Sequence, residues 1–301
     1  MIITSYIEFM GQLAAHSHEY RIIHAHNGAK QAIVLDAAEE AGIPERIAHA
    51  HSTSFLHDDR YEQRLHMLSA IRTHATRYFA CGNDAGRFFF GDASWQSRGT
   101  VMYNSIDRQA FAFDQTLRER MRDRLDLHGC LVMGHVGRFQ PQKNQQRLLK
   151  ILSATLKHEK NARLIMIGDG PQRQAIIEQA REMGLSSCVL IPGMQENMRD
   201  WYCCMDVFVM PSLFEGLPVA SVEAQACGLP CVFSTAITRE SGLTSKHAFI
   251  SLESNDALWS ESVMYLSKAH YGRRQCQSLP QCYDISHAAS QLMDFYCRIY
   301  R

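Results

Sequence analysis

The sequence is short of the features that most quickly give a function away. It has no excess of either charge: Lys plus Arg and Asp plus Glu both number 31, so the formal net charge is zero. No whole-molecule field would therefore draw it to nucleic acid or to an acidic membrane. It has no uninterrupted apolar stretch of about 18 residues, which excludes a spanning helix. Its opening residues, MIITSYIEFMGQL, lack the basic segment, apolar run and cleavage site of a secretory signal. A GxGxxG turn after a first strand, with an acid about 20 residues further on, is missing, and with it the signature of a nicotinamide-binding dehydrogenase. The ten cysteines (81, 130, 188, 203, 204, 227, 231, 276, 282 and 297) form no CxxC pair with metal-ligand spacing. They lie mostly in or beside apolar runs and are expected to be reduced, buried thiols in a cytoplasmic protein.

What is present is an ordinary globular composition, 46% hydrophobic and 21% charged over 301 residues, a length that favours two domains. Short β-rich runs begin at RIIHAHN (21–27) and recur at 46–52, 77–82, 100–105, 131–139, 162–170, 187–193, 207–212 and 230–235. Helical patterns such as Ala29–Ala41, Asp59–His74, Gln145–His158, Gln172–Met183 and Val222–Ala226 stand between them. That alternation predicts an α/β fold of parallel sheets covered by helices. The charged stretch Asp107–Asp126 has no β run and puts the domain boundary near 110. Its arginines 118, 120, 122 and 124 are expected on a solvated helix near the linker. The expected organisation is 1–110, 111–282, and a docking helix in 283–301, where Leu292, Phe295, Tyr296 and Ile299 share helical spacing.

Chemistry concentrates at the ends of the later strands. Glu215-Gly-Leu-Pro-Val-Ala-Ser-Val-Glu223 follows an apolar strand and precedes a helical run. Gly216 allows close backbone approach to a ligand, Pro218 suits a first helical position, and unpaired amides at a helix start can hold phosphate or sugar oxygens. By spacing alone, the two glutamates are equally an N-terminal acid and a solvated helix residue. Gly137-Arg138…Lys143 and Gly168-Asp-Gly-Pro follow two other strands, where open α/β sheets bind ligands, and together they suit a nucleotide diphosphate. Three HxH pairs occur, His16/His18, His24/His26 and His49/His51. Alternate strand residues share a face, but no third ligand sits at a committing spacing, and no metal site is expected. The first pair reads as surface; His24, His26 and His49 read as cleft wall or satisfied core groups. Asn104 in YNSID is expected to fix a turn at the interdomain connection.

The runs GRFQPQKN, IGDGP and PSLFEGLPVASVEAQACGLP, with IAHAHSTS, FACGNDAGRFFFG and VMYNSID, resemble the family 4 retaining glycosyltransferases of GT-B fold. They are most like bacterial members that build capsular, exopolysaccharide or O-antigen chains. The resemblance covers nearly all of 20–300 and implies two Rossmann-like domains facing a cleft. By it, Arg138 and Lys143 would neutralise the donor diphosphate without a metal, in keeping with the absence of a DxD pair. Glu215 would contact the transferred sugar, with amides near Gly216 and Leu217 at its hydroxyls and phosphate, and Glu223 would accept from the ribose hydroxyls. Gly168 and the loop from Gly193 to Glu196 would shape the ribose and base pocket, and His51 would face the donor sugar. Ser105 stands where the family pattern has glycine. Only about four strands precede residue 108, so the first domain is expected to be incomplete, its opening βαβαβ half missing and open to supply by a partner. The implied function is transfer of a sugar, with retention, from a nucleotide-sugar, most often a UDP-sugar, to a glycan or lipid-linked acceptor in polysaccharide biosynthesis. No cofactor is implied, and peripheral association with the inner face of the membrane is allowed. The alternative is a non-catalytic nucleotide-sugar-binding remnant or a subunit of a split enzyme.

Overall fold

The computed structural model describes residues 2–268 and 279–300. The chain divides into two compact units, one made of 1–103 with 286–301 and the other of 104–285.

The first unit is a four-stranded parallel sheet in the order β1-β2-β3-β4, with β1 Ile22–Ala25, β2 Glu45–Ala50, β3 Arg77–Ala80 and β4 Gly99–Val101. Helices α1 (Ile2–Ala15), α2 (Gln31–Glu40), α3 (Tyr61–His74), α4 (Asn83–Phe90) and α5 (Asp92–Arg98) accompany these strands. Each strand adds to the same side of its predecessor, with Ile47 opposite both His24 and Arg77. Tyr78, Phe79, Phe89 and Phe90 are its largest fully buried rings, with Trp95 nearly so. The final helix, α12 (Ile285–Ile299), belongs to this unit from Ser286 onward. Its Phe295 ring packs 4.8 Å from that of Phe79, the docking role its helical spacing predicts.

The second unit holds β5 (Val132–Val136), β6 (Arg163–Ile167), β7 (Val189–Gly193), β8 (Val207–Met210), β9 (Cys231–Ser234) and β10 (His247–Ile250). All are parallel, in the order β10-β9-β8-β5-β6-β7. Its inner strands β5, β6, β8 and β9 are buried on both faces, so they read as continuous apolar runs, with alternate residues feeding separate cores. Phe208, Met210 and Phe233 join the cluster containing Met121 of α6 (Gln115–Arg124), Trp201 and Tyr202 of α9 (Met198–Cys204) and Ala224 of α10 (Val219–Ala226). Val207, Val209 and Val232 join the opposite cluster, with Leu148 and Leu152 of α7 (Gln145–Thr155), Ile176 of α8 (Arg173–Glu182) and Trp259 of α11 (Asp256–Ser267).

Four expectations are corrected here. The division falls at 103/104 rather than near 110, because Asn104 to Arg108 bond within the second unit: Ile106 N–H donates to the Tyr283 carbonyl at 3.0 Å and Arg108 pairs with Asp284 at 2.9 Å. HAFI (247–250) forms a sixth strand there, a four-residue run too short to stand out by pattern. The arginine stretch is solvated on one face only: Arg120 and Arg124 are exposed as expected, but Arg118 and Arg122 are buried on the carboxylate of Asp206, which leads into β8. Finally, Cys297 is exposed and Cys130, Cys188 and Cys282 are half-buried, while Cys81, Cys203, Cys204, Cys227 and Cys231 are buried free thiols; Cys276 lies outside the described residues. Among the described residues no helix is long and apolar enough to cross a membrane.

Candidate active site

In the second unit β5 has β6 on one side and β8 on the other. Connections leaving β5 and β8 therefore diverge, and a crevice opens at their carboxyl ends, the switch point where ligands bind in open α/β sheets. The motif residues of the two loops meet there. Lys143 closes a short 3-10 turn, Pro141–Lys143, and its ammonium donates to Glu215 Oε1 at 2.7 Å. Both side chains are largely buried, 15% and 8% exposed, so the pair is shielded from water and salt. Gln142 Nε2 donates to the Phe214 carbonyl at 2.9 Å and to Glu215 Oε2 at 3.2 Å. Leu213 N–H donates back to the Gln142 carbonyl at 2.8 Å, and Asn144 Nδ2 donates to the Pro211 carbonyl at 3.1 Å. Gln142 and Asn144 thus zip the loops together, although both look like interchangeable loop polars in the sequence. Arg138 has an exposed side chain, outside this zipper.

The glycine turns are fixed by contact. A Cβ on Gly168, at φ +135°, would lie 2.2 Å from the Gly137 carbonyl oxygen, and one on Gly170 would lie 2.4 Å from that of Phe139. The turns after β5 and β6 can pack this closely only without side chains. Gly193 supports them from β7, its carbonyl accepting from Gly168 N–H at 3.0 Å. Beneath Gly137 lies His135, fully buried, with Nδ1 bonded to the Val209 carbonyl at 2.9 Å. Burial drives its pKa down to about 4 against the opposing effect of that bond, with the Lys143 ammonium lowering it further.

Beyond Glu215, Gly216 and Leu217 are buried, and Pro218 occupies the cap position of α10 instead of the first helical position expected. No side chain caps this helix, so its first-turn amides are not claimed by a capping group. Asn104 Nδ2 donates to the Leu217 carbonyl at 2.6 Å, so the side chain expected to fix a turn at the interdomain connection is bonded to the turn after Glu215. One helical turn into α10, Glu223 Oε2 accepts from Tyr202 O–H at 2.8 Å. Burial raises the Glu223 pKa, opposed by the Tyr202 bond. Tyr202, in the apolar run WYCC, carries no sequence signal for this role.

His51 is in the other unit, just past β2. There two HxH pairs on neighbouring strands form a cluster: His26 Nδ1 lies 2.9 Å from His51 Nε2, and His24 Nε2 lies 3.2 Å from His49 Nδ1. His24 Nδ1 meets Tyr296 O–H at 2.6 Å. Burial, with the charges of its histidine neighbours, lowers the pKa of His24 to about 3 and that of His49 to about 2. His24 is half-buried, His26 exposed and His49 buried. His16 and His18 are exposed, as expected.

Residues 130–266 match the family described as glycosyl transferases group 1. The chain is 36% identical over 289 residues to EpsF of Bacillus subtilis (strain 168), a glycosyltransferase by name, covering 92% of this chain and 74% of that one. It is 25% identical over 224 residues to the UDP-Gal:alpha-D-GlcNAc-diphosphoundecaprenol alpha-1,3-galactosyltransferase of Escherichia coli, covering 72% of this chain. It is 28% identical over 225 residues to the GDP-mannose-dependent alpha-(1-6)-phosphatidylinositol monomannoside mannosyltransferase of Mycolicibacterium smegmatis, covering 68% of this chain. The chain spans 58% and 56% of the length of these last two relatives. Among solved structures it matches Anabaena Alr3699/HepE in complex with UDP, with a TM-score of 0.78 at 17% identity over 96% of this chain and 82% of that one. It also matches sucrose-phosphate synthase from Thermosynechococcus elongatus, with a TM-score of 0.79 at 17% identity over 100% of this chain and 79% of that one. The fold of two parallel-sheet Rossmann-like domains is that of GT-B glycosyltransferases.

Proposed function

Because this chain belongs to the group 1 glycosyltransferases, we propose that it transfers a sugar from a nucleotide-sugar to a hydroxyl of a glycan or lipid-linked oligosaccharide, with retained anomeric configuration, in cell-surface polysaccharide biosynthesis. The observation that carries this reading is the Lys143–Glu215 pair at the β5/β8 switch point, set beside two turns closed by glycine. An incoming diphosphate offers Lys143 a stronger anionic partner than one carboxylate. As the bond to the anomeric carbon breaks, charge builds on the phosphate, and Lys143 with the exposed Arg138 stabilises it in place of a metal or other cofactor. The amides near Gly216 and Leu217 and at the start of α10 suit phosphate and sugar oxygens, while Glu223 accepts from the ribose hydroxyls. Gly168 and Gly193 shape the wall for ribose and base, and by the resemblance His51 would contact the donor sugar.

Glu215 positions the sugar and does not attack it. A carboxylate nucleophile must stand free beneath the anomeric carbon, whereas both Glu215 oxygens are engaged by Lys143 and Gln142. The acceptor therefore attacks from the face the phosphate leaves, and the leaving phosphate takes its proton. A UDP-sugar is the donor we favour, supported by the UDP-Gal in the name of the Escherichia coli relative. That relative's undecaprenol-linked acceptor supports cytoplasmic transfer with peripheral contact at the inner face of the membrane.

The test is a thermal-shift titration with UDP, GDP, ADP and their sugar conjugates, followed by a transfer assay. A ligand that binds only the folded state, present at 100 times its Kd, stabilises by about 2.7 kcal/mol. A base-selective rise in Tm that is lost in Glu223→Ala supports the reading. No rise with any nucleotide refutes it, and binding without transfer reduces the protein to a nucleotide-sugar-binding subunit.

A further inference from the structure

The histidine cluster of the first unit is not used by the proposed transfer, His51 apart, and it is organised as a ligand set. β1 and β2 are parallel neighbours, with His24 opposite Ile47 and Ala25 opposite Ala48. Alternation along each strand places His24 and His26 on one face and His49 and His51 on the same face beside them. Four imidazoles thus meet at the carboxyl ends of two adjacent strands, with ring centroids 4.3 Å apart within each HxH pair. The ligand-capable nitrogens of His24, His26 and His49 lie within 4.8 Å of one another, the only such group of histidine, cysteine or carboxylate side chains among the described residues.

A neutral imidazole carries one N–H, so each close pair, at 3.2 and 2.9 Å, needs a proton in the gap. A tetrahedral zinc ion with Zn–N bonds of about 2.0–2.1 Å sets neighbouring ligand nitrogens about 3.3–3.4 Å apart. The observed spacings are within a few tenths of an ångström of that edge. The cluster also has the outer support that metal-bound histidines use: Tyr296 O–H lies 2.6 Å from His24 Nδ1, which leaves Nε2 turned toward the other rings. Gln31 clamps the strand at His49, donating to its carbonyl at 3.0 Å and accepting from its N–H at 2.8 Å.

We propose that His24, His26 and His49, with His51 as fourth ligand, form a binding site for a divalent transition-metal ion of zinc type. Binding puts the cation in the two nitrogen–nitrogen gaps; the proton of each gap moves to the other nitrogen of its own ring, so every imidazole stays neutral, with no net proton release and no change of oxidation state. The site lies in the first unit and takes no part in neutralising the donor phosphate; it holds β1, β2 and α12 together, and with the metal bound His51 is a ligand in place of the donor-sugar contact that the resemblance implies.

The test uses the full chain with any affinity tag removed, stripped with a chelator and desalted. Zn²⁺ is titrated by calorimetry, and Co²⁺ is added separately so that its visible d–d absorption reports coordination. The expected result is saturation at a single equivalent, a tetrahedral nitrogen-ligand Co²⁺ spectrum, and a rise in Tm with Zn²⁺. His26→Ala and His51→Ala, both outside the buried core, should each weaken Zn²⁺ binding tenfold or more, whereas His16→Ala/His18→Ala should leave it unchanged. Absence of saturation at one equivalent, an octahedral Co²⁺ spectrum, or full affinity in His26→Ala overturns the proposal. Should either single variant fail to fold, the other and the Co²⁺ spectrum of the unaltered chain decide.

Discussion

Replacing Asp206 with alanine should be among the most damaging single changes available in the second unit. Its side chain, in a residue 3% exposed, accepts from Val132 N–H at 2.8 Å and from Arg122 Nη1 at 3.0 Å, and it pairs closely with Arg118. The substitution leaves two guanidinium groups, on residues 9% and 7% exposed, facing each other without their shared counter-charge, and an amide at the start of β5 without its acceptor. Breaking a buried ion pair from one side costs about 3–5 kcal/mol, a large part of the 5–15 kcal/mol typical of a whole domain. With a urea m-value of roughly 2 kcal/mol/M, the midpoint should fall by about 2 M. Because the site is shielded, the loss should be nearly the same at low and high salt, unlike that of a surface pair. An apolar triple replacement of Arg118, Arg122 and Asp206 would not rescue stability. The guanidiniums also satisfy the carbonyls of Cys203, Met205, Cys204 and Leu127, at 2.8–3.2 Å. Equilibrium urea unfolding followed by circular dichroism measures the effect. A loss under about 1 kcal/mol, or one that disappears in salt, would mean the network is solvated after all.

Glu215→Gln frees Lys143 of its carboxylate, so UDP should bind about tenfold more tightly, as expected for a charge-assisted bond of 1.5–3 kcal/mol, while transfer falls at least ~100-fold; unchanged UDP affinity by calorimetry would show that the pair does not compete for phosphate. Tyr202→Phe removes the bond that opposes burial at Glu223, whose pKa then rises further. The acid limb of UDP affinity against pH should move to higher pH, because a protonated Glu223 accepts less well, and an unmoved limb refutes this role. His135, with its folded pKa lowered to about 4 from 6.5, binds fewer protons folded than unfolded. It therefore costs nothing above pH 6.5 and removes up to roughly 3 kcal/mol as pH falls from 6.5 through 4. Urea midpoints should show a shallower acid loss in His135→Gln than in the parent, and identical slopes would contradict it.

The α/β rhythm and nine of the ten strands, with the motif loops at their carboxyl ends, are legible in the sequence because they depend on local periodicity and on turns that only glycine can make. The resemblance supplied roles; the packing supplies reasons, such as the 2.2 Å approach that forbids a Cβ on Gly168. What sequence patterns miss is made by contacts distant along the chain. Arg118 reads as a surface cation because its partner lies 88 residues away, and Tyr202 reads as core because Glu223 is 21 residues on. The four histidines read as two separate pairs because parallel register, which unites them, is invisible until β1 and β2 are side by side. The boundary shifted for the same reason: Ile106 is held by Tyr283, across the whole second unit.

The first unit takes residues 286–301 only after the second has been spelled out between. On a ribosome, where domains fold as units while the chain is still emerging, that order inverts the sequence. The second unit has all its strands, and Asp284 beside Ile106, before the first can finish. Until then the earliest-made strands wait without Phe295 against Phe79 or Tyr296 against His24. Synthesis that stops short of residue 286 would release a finished second half joined to an unfinished first one, a state that cellular quality control can recognise by its uncovered aromatic surface.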